Sequence, residues 1–193
     1  MRIQTTILLT FLTASLHASE AVEAPWERHA FDIDSGGLWQ VGDNTTIDYE
    51  LVQTRFSWRS PYVMKWDTDG GSTVVVRNHA SLIAAWIAEG PEDYYFGFSG
   101  SPSLEWWSSD NLWAVYFSIG GGFGVTNSTN VPGGQGQDLT LNWFMETGVR
   151  HQLNPDLAIY GGPFFQHMSN GGATNPNPGI DALGFNLGAS FSF

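Results

Sequence analysis

The chain has 193 residues, with 7 Lys and Arg against 19 Asp and Glu, a formal net charge of −12 and no cysteine. This length favours one domain of ordinary size. The shortage of cations argues against a nucleic-acid partner, and the lack of cysteine excludes a disulfide scaffold, a thiolate zinc site and a cysteine nucleophile.

The N-terminus has the pattern of a secretory signal peptide. A positive charge follows the first Met, residues 7–16 are mostly apolar, and small residues follow at Ala18 and Ala21. The apolar run is shorter than the ~20 residues that a membrane-spanning helix needs. We therefore predict a signal peptide over residues 1–21, cleaved after either of these alanines, and one mature domain over residues 25–193.

Beyond the signal peptide the sequence predicts an all-β fold. Runs of alternating apolar and polar residues, rich in Tyr, Phe, Trp and Val, are separated by clusters of Gly, Pro, Asn and Asp. The stretch 59–78 is open to two interpretations, one long connection or a small hairpin around residues 67–71. The eight predicted strands are 30–41, 46–58, 79–89, 93–107, 111–124, 139–151, 157–169 and 182–193.

The connections in the C-terminal half alternate between short and long. Tight turns at residues 108–111 and 153–156 alternate with long loops at 125–138 and 170–181. Short turns on one side and longer loops on the other are typical of outer-membrane barrels. This pattern predicts an eight-stranded antiparallel up-and-down transmembrane β-barrel.

The two faces of the predicted strands support a membrane barrel over a soluble sandwich. In strand 139–150, one face is Leu139, Leu141, Trp143, Met145, Thr147 and Val149, and the other is Thr140, Asn142, Phe144, Glu146, Gly148 and Arg150. A membrane barrel turns its apolar face outward. A secreted β-sandwich also alternates, but it would have to bury Glu146 and Arg150 on the inner face of a single strand.

The remaining polar and aromatic residues are assigned by the same alternation. Residues predicted to fill the lumen are Asp48, Glu50, Glu105, Glu146, Arg150 and Gln166. Acidic residues predicted to lie in loops or on a solvated face are Asp32, Asp34, Asp67, Asp69, Glu92 and Asp93. Aromatic residues predicted for the interfacial girdles are Tyr94, Tyr95, Trp106, Trp107 and Trp113.

A candidate catalytic group lies at the end of the strand 157–169. By alternation, His167 and Ser169 share the lipid-facing side, two residues apart, so the imidazole can accept the serine proton. Asp181 lies at the start of the next strand and shares that face, where it can orient the imidazole. These residues are the components of a serine hydrolase, although a His-x-Ser pair also occurs by chance and polar residues are normal at a barrel rim.

The same segment resembles a known family. The run His167-Met168-Ser169-Asn170-Gly171, followed by residues 175–181 and a final strand that ends in Phe193, resembles the lipid A 3-O-deacylase family of Gram-negative outer membranes. The resemblance is sharp over residues 155–193.

The resemblance implies an eight-stranded barrel whose outer wall carries a Ser-His-acid triad. It implies that Ser169 is the nucleophile, His167 the general base and acid, and Asn170 a contributor to the oxyanion hole. The family usually has Glu where this chain has Asp181. Because Asp is one methylene shorter, we expect the backbone to come closer for a hydrogen bond to His167, or the activity to be weak.

The expected function is hydrolysis of the 3-O-linked acyl chain of lipid A, with release of a 3-hydroxy fatty acid and with no metal or cofactor. The expected partner is lipopolysaccharide in the outer leaflet of a Gram-negative outer membrane, not nucleic acid, and the oligomeric state stays open, a homodimer included. The alternatives are a non-catalytic barrel, structural or a narrow pore, and a lipid A acyltransferase, which needs an acyl-donor site inside the barrel.

Overall fold

The computed structural model of the chain describes residues 23–42 and 48–193. The predicted signal peptide over residues 1–21 lies outside the described residues. Within the described ranges, no helix is long and apolar enough to cross a bilayer.

Eight antiparallel strands close into one barrel in sequence order, as predicted. Each strand pairs with its neighbours along the chain, and β1 closes the barrel against β8. The strands are β1 (Ala30–Gln40), β2 (Glu50–Asp67), β3 (Thr73–Glu89), β4 (Tyr94–Trp107), β5 (Trp113–Thr126), β6 (Leu139–Asn154), β7 (Leu157–Ser169) and β8 (Ile180–Ser192).

The uncertain stretch 59–78 belongs to two long strands. β2 continues to Asp67, β3 begins at Thr73, and only five residues separate them. Irregular pairing near Arg59 and Tyr62 shifts the register between the two strands. Such a bulge interrupts the alternation of side chains, which is why the sequence pattern is broken there. The turn at residues 67–71 is therefore real, but it joins full-length strands and not a small separate hairpin.

The connections differ in length at the two ends of the barrel. The loops 127–138 and 170–179 lie at one end, and the short turns 108–112 and 155–156 lie at the other, near the C-terminus. Outer-membrane barrels have short periplasmic turns and longer extracellular loops. The end that carries the long loops is therefore the extracellular end.

The outer wall is apolar, which confirms the predicted alternation. Along β6 the side chains of Leu139, Leu141, Trp143 and Val149 point outward and are about half exposed, whereas Phe144 is buried inside the barrel. Outward-pointing residues of the other strands follow the same rule, and they include Val115, Phe117, Ile119, Leu183, Phe185, Leu187 and Phe191.

Ion pairs fill the middle of the barrel. Arg55 donates to Asp34 at 3.0 Å and to Glu146 at 2.6 Å, and Tyr160 donates to the same Asp34 at 2.8 Å. The neighbouring pairs are Arg59–Glu105 at 3.0 Å, Arg150–Asp32 at 3.1 Å and Arg59–Asp32 at 3.7 Å. These buried carboxylates and guanidinium groups are therefore paired with each other.

Apolar layers lie above and below these ion pairs. The extracellular layer is made of Leu38, Tyr49, Leu51, Ile83, Ala85, Ile87, Tyr95, Phe144, Phe164, Met168, Ile180 and Ala182. At the periplasmic end Trp26, Val75, Trp107 and Ala114 pack together. The N-terminal segment there is anchored by Arg77, which donates to the carbonyl oxygens of Pro25 and Ser60.

Several predicted positions are confirmed and others are wrong. Glu105, Glu146, Arg150 and Gln166 lie inside the barrel as predicted. Asp48 and Glu50 are instead exposed, because β2 begins only at Glu50, at the extracellular end of the barrel.

Asp32 and Asp34 are buried inside the barrel, not solvated, because they alternate with the outward-facing Phe31 and Ile33. In the aromatic girdles, Tyr94, Trp106 and Trp113 are exposed as predicted. Tyr95 and Trp107 are instead buried inside the barrel.

Candidate active site

The register between β7 and β8 brings the imidazole and the carboxylate together. His167 lies directly opposite Asp181, and the next pair, Met168 and Ile180, points into the barrel and is buried. Since alternate residues of a strand face opposite sides, the buried pair fixes the outward direction of the pair beside it. The apolar core thus positions the side chains of His167 and Asp181.

His167 connects the two other members of the predicted triad. Its Nδ1 lies 2.6 Å from Oδ1 of Asp181, and its Nε2 lies 3.0 Å from Oγ of Ser169. With Nδ1 donating to the carboxylate, Nε2 is left to accept the serine proton. The aspartate reaches the imidazole within the ordinary register of the two strands, so the expected closer approach of the backbone is not needed.

The site is sheltered but open at the outer wall. The side chains of His167 and Asp181 are 25% and 19% exposed. The Trp143 ring on β6 lies nearly parallel to the imidazole, with ring centroids 6.0 Å apart. Below the triad, toward the middle of the bilayer, an apolar groove is lined by Phe117, Met145, Thr147, Pro163, Phe165 and Leu183, together with Glu146. A polar side-chain cluster therefore lies at the upper end of an apolar wall.

Asn170 organises the loop that follows Ser169. Its side-chain nitrogen lies 2.5 Å from the Gln135 carbonyl oxygen and 2.9 Å from that of Thr174, and its side-chain oxygen accepts from the N–H of Gly172 at 2.8 Å. The side chain of the predicted oxyanion-hole residue is thus bonded both to its own loop and to the loop between β5 and β6. Among the described residues, the N–H of Gly171 has no hydrogen-bond partner.

Sequence reasoning missed the residues that support this loop. Glu92 lies in a loop, as predicted, but its carboxylate is buried and not solvated, and it accepts from the N–H of Gln135 at 2.9 Å. Gln135 contributes only backbone groups to this contact and to Asn170. Backbone contacts between distant loops have no signature in residue type, so no pattern in the sequence indicates them.

Two other histidines, His29 and His151, pack against tryptophan rings. His29 stacks on Trp58 with ring centroids 5.5 Å apart, and His151 stacks on Trp113 at 4.0 Å. In the part of the chain that the structure describes, no three His, Cys, Asp or Glu side chains are grouped so that they could hold a metal ion.

Comparisons with known proteins bear on the whole barrel. The sequence profile described as "Lipid A 3-O-deacylase (PagL)" matches residues 39–190. Among solved structures, the outer membrane enzyme PagL is 15% identical, with a TM-score of 0.56, and the match covers 82% of this chain and 97% of that one. Neisserial surface protein A is 10% identical, with a TM-score of 0.51 and coverage of 86% and 97%. No curated protein sequence matches the chain.

These two structures share the barrel fold with the chain, and their low identity carries no more than the fold. The family match covers well over half of the 193 residues, including the segment that carries His167, Ser169 and Asp181. The chain therefore belongs to the lipid A 3-O-deacylase (PagL) family and is a β-barrel of the Gram-negative outer membrane.

Proposed function

We propose that this barrel is a serine esterase that hydrolyses the ester-linked acyl chain at the 3-position of lipid A and releases a 3-hydroxy fatty acid. The observation that carries the proposal is the hydrogen-bonded chain from Ser169 through His167 to Asp181 on the lipid-facing wall. Placing an imidazole and a carboxylate on a lipid-facing wall costs free energy, and a catalytic role explains why both are present there.

Acylation uses Ser169 as the nucleophile. Its Oγ attacks the ester carbonyl carbon while Nε2 of His167, 3.0 Å away, takes the hydroxyl proton. When the tetrahedral intermediate collapses, the bond to the sugar oxygen breaks and His167 returns the proton to that oxygen. The acyl chain is left esterified to Ser169.

Deacylation repeats the sequence with water. His167 takes a proton from a water molecule, and the resulting hydroxide attacks the acyl carbonyl carbon. When this tetrahedral intermediate collapses, the bond between the acyl carbon and Oγ of Ser169 breaks, and His167 returns the proton to Oγ. Asp181, at 2.6 Å from Nδ1, holds the required tautomer and stabilises the imidazolium that forms in both halves.

We assign stabilisation of the oxyanion to Asn170 and the turn that it holds. The N–H of Gly171 is a donor without a partner in the described chain, and Asn170 fixes the adjacent Gly172 N–H at 2.8 Å. Both glycines have positive φ, 67° and 78°, a conformation that residues with side chains rarely adopt. Donors held in place before the reaction lower the barrier most effectively.

The substrate would reach the site sideways through the outer leaflet. The acyl chains of lipid A would lie along the apolar wall below Phe165 and Leu183, with the ester at the level of Ser169. Water would enter from the extracellular loops. The barrel interior, filled by apolar layers and ion pairs, favours this route over the pore and over an acyltransferase with an internal donor site.

The experiment compares lipid A from a Gram-negative host that expresses the wild-type chain, Ser169→Ala or His167→Ala. We expect mass spectrometry to show loss of one 3-hydroxyacyl chain with wild type only, while all barrels stay heat-modifiable on gels. Ser109→Ala, in an exposed periplasmic turn, is the matched control and should behave as wild type. Full activity of either triad variant would overturn the assignment.

A further inference from the structure

Glu92 is a buried carboxylate that the proposed mechanism does not use. It lies in the short loop between β3 and β4 and is only 1% exposed. Among the residues that the structure describes, its three hydrogen-bond partners are neutral: it accepts from the Tyr49 hydroxyl at 2.8 Å, the Ser128 hydroxyl at 2.8 Å and the Gln135 N–H at 2.9 Å. Burying a carboxylate among neutral partners costs folding free energy, so the burial of Glu92 calls for a functional explanation.

Its partners come from separate extracellular connections. Tyr49 precedes β2, whereas Ser128 and Gln135 belong to the loop between β5 and β6. Burial, together with the adjacent Glu92 carboxylate, raises the pKa of the Tyr49 phenol, so this group stays protonated and donates. One carboxylate therefore joins three connections at the extracellular end of the barrel.

The same network continues to the residue after the nucleophile. The peptide that begins at Gln135 receives the Asn170 amide on its carbonyl oxygen at 2.5 Å. The next residue, Gly136, lies very close to the loop that follows Ser169, because a Cβ added at Gly136 would lie 2.6 Å from the Pro176 carbonyl oxygen. The two loops are thus packed backbone to backbone, and the loop that Glu92 holds forms the support of the loop that follows Ser169.

We propose that Glu92 is a positioning residue for the overall hydrolysis of lipid A. It fixes Ser128 and Gln135, Gln135 fixes Asn170, and Asn170 fixes the Gly171–Gly172 turn beside the nucleophile. The inference rests on the proposed function, because it assigns Glu92 to the same reaction centre without contact with the substrate. Its effect is on the rate of the chemical step and not on the binding of lipid A.

The test uses the full mature chain, folded in detergent micelles, with Glu92→Gln as the main variant. Glutamine offers one acceptor oxygen where the carboxylate offers two, so its NH₂ group must face one of the three donors. The matched control is Glu89→Gln, the same change at an exposed position three residues earlier. Three readouts are taken: kcat and KM for lipid A, the rate at which a fluorophosphonate labels Ser169, and amide hydrogen exchange in each loop.

We expect Glu92→Gln to lower kcat and the labelling rate together by about 10- to 100-fold, the scale set by misplacement of a reacting group of about 1 Å. KM should stay within about threefold of wild type, since the lipid-facing wall is untouched. Hydrogen exchange should become faster in residues 127–138 and also in 170–179. Glu89→Gln should match wild type in all three measurements.

A purely local role for Glu92 gives a different pattern. Faster exchange confined to residues 127–138, with kcat and labelling as in wild type, would overturn the proposal. If Glu92→Gln does not fold, Tyr49→Phe and Ser128→Ala each remove one donor and should each lower kcat in the same direction, and unchanged kcat in both would also overturn it. Activity retained by Ser169→Ala would instead refute the proposed function, which keeps the two failures distinct.

Discussion

The Asp181→Asn variant tests how this triad depends on its acid. The amide is close to the carboxylate in shape, so the 2.6 Å contact with Nδ1 of His167 can persist. If its NH₂ group then donates to Nδ1, the imidazole proton is held on Nε2. That is the atom that must accept the proton of Ser169, 3.0 Å away.

The magnitude follows from two separate effects. Loss of a hydrogen bond to a charged group costs about 1.5–3 kcal/mol, which corresponds to roughly 10- to 150-fold in rate. Locking the wrong tautomer raises the loss to about 10⁴-fold, the scale of this substitution in serine-protease triads. We therefore expect Asp181→Asn to be at least as impaired as Asp181→Ala, which removes the bond and leaves the tautomer free.

The assay is the initial rate of fatty-acid release from lipid A by the refolded variants at neutral pH. Asp69→Asn, the same change in the exposed turn between β2 and β3, is the matched control and should keep the wild-type rate. An Asp181→Asn rate above one tenth of wild type would show that Asp181 does not set the tautomer, and the role assigned to it would fail.

Two further predictions concern the barrel that carries the site. Arg55→Met leaves Asp34 and Glu146 buried without their shared partner, so we expect unfolding in urea to show a loss of about 3–5 kcal/mol in the free energy of unfolding. The exposed pair of Lys65 with Asp67, 3.3 Å apart, predicts a loss of only about 0–1 kcal/mol for Lys65→Met. Equal losses in the two variants would refute the distinction. Arg77→Gln removes most of the donors that hold the carbonyl oxygens of Pro25 and Arg28. We expect protease to cut within residues 23–29 of this variant while the barrel stays heat-modifiable, and a resistant segment would show that Trp26 packing alone anchors it.

The wall of the barrel was predictable because alternation acts at every strand. Along β6, side chains lie on the face that the alternation predicts: Leu141, Trp143 and Met145 on the outer face, and Phe144 and Glu146 on the inner one. The same parity places His167, Ser169 and Asp181 on one face, and the structure adds the register that sets His167 opposite Asp181. Strand-borne residues of the site were therefore accessible to sequence reasoning.

The sequence-based predictions are wrong where the usual location of a residue type differs from the location that its place in the barrel gives it. An acidic residue is ordinarily exposed, yet Asp32 and Asp34 are buried because arginines of other strands meet them across the lumen. Which strands face each other across a barrel depends on its closure and shear, which local sequence does not encode. Trp107 resembles a girdle residue by type, but it alternates with the outward-facing Trp106, so it is buried beside Trp26 of the N-terminal segment, with ring centroids 5.4 Å apart.

The loops were the least predictable part because their contacts are carried by backbone groups. Asn170 was singled out for its side chain, whereas the structure bonds that side chain to carbonyl oxygens of Gln135, Thr174 and Pro176. Any residue type supplies a carbonyl oxygen, so the partners cannot be read from their identity. The burial of Glu92 in its loop is hidden from the sequence for a related reason, since its donors come from connections distant in the sequence.

Strands and loops hold different parts of the proposed site at the membrane boundary. His167 and Asp181 are fixed by the buried pair Met168 and Ile180, so their separation depends on the core and not on loop motion. Ser169 is the last residue of β7, and the donors proposed for the oxyanion begin at the next residue. In the proposed mechanism, the barrel thus positions the groups that transfer the proton, while the loops that Glu92 joins position the groups that stabilise the oxyanion. Perturbing Asp181 and perturbing Glu92 should therefore slow the same chemical step by different routes, and Glu92→Gln should leave the 2.6 Å contact between Asp181 and His167 intact.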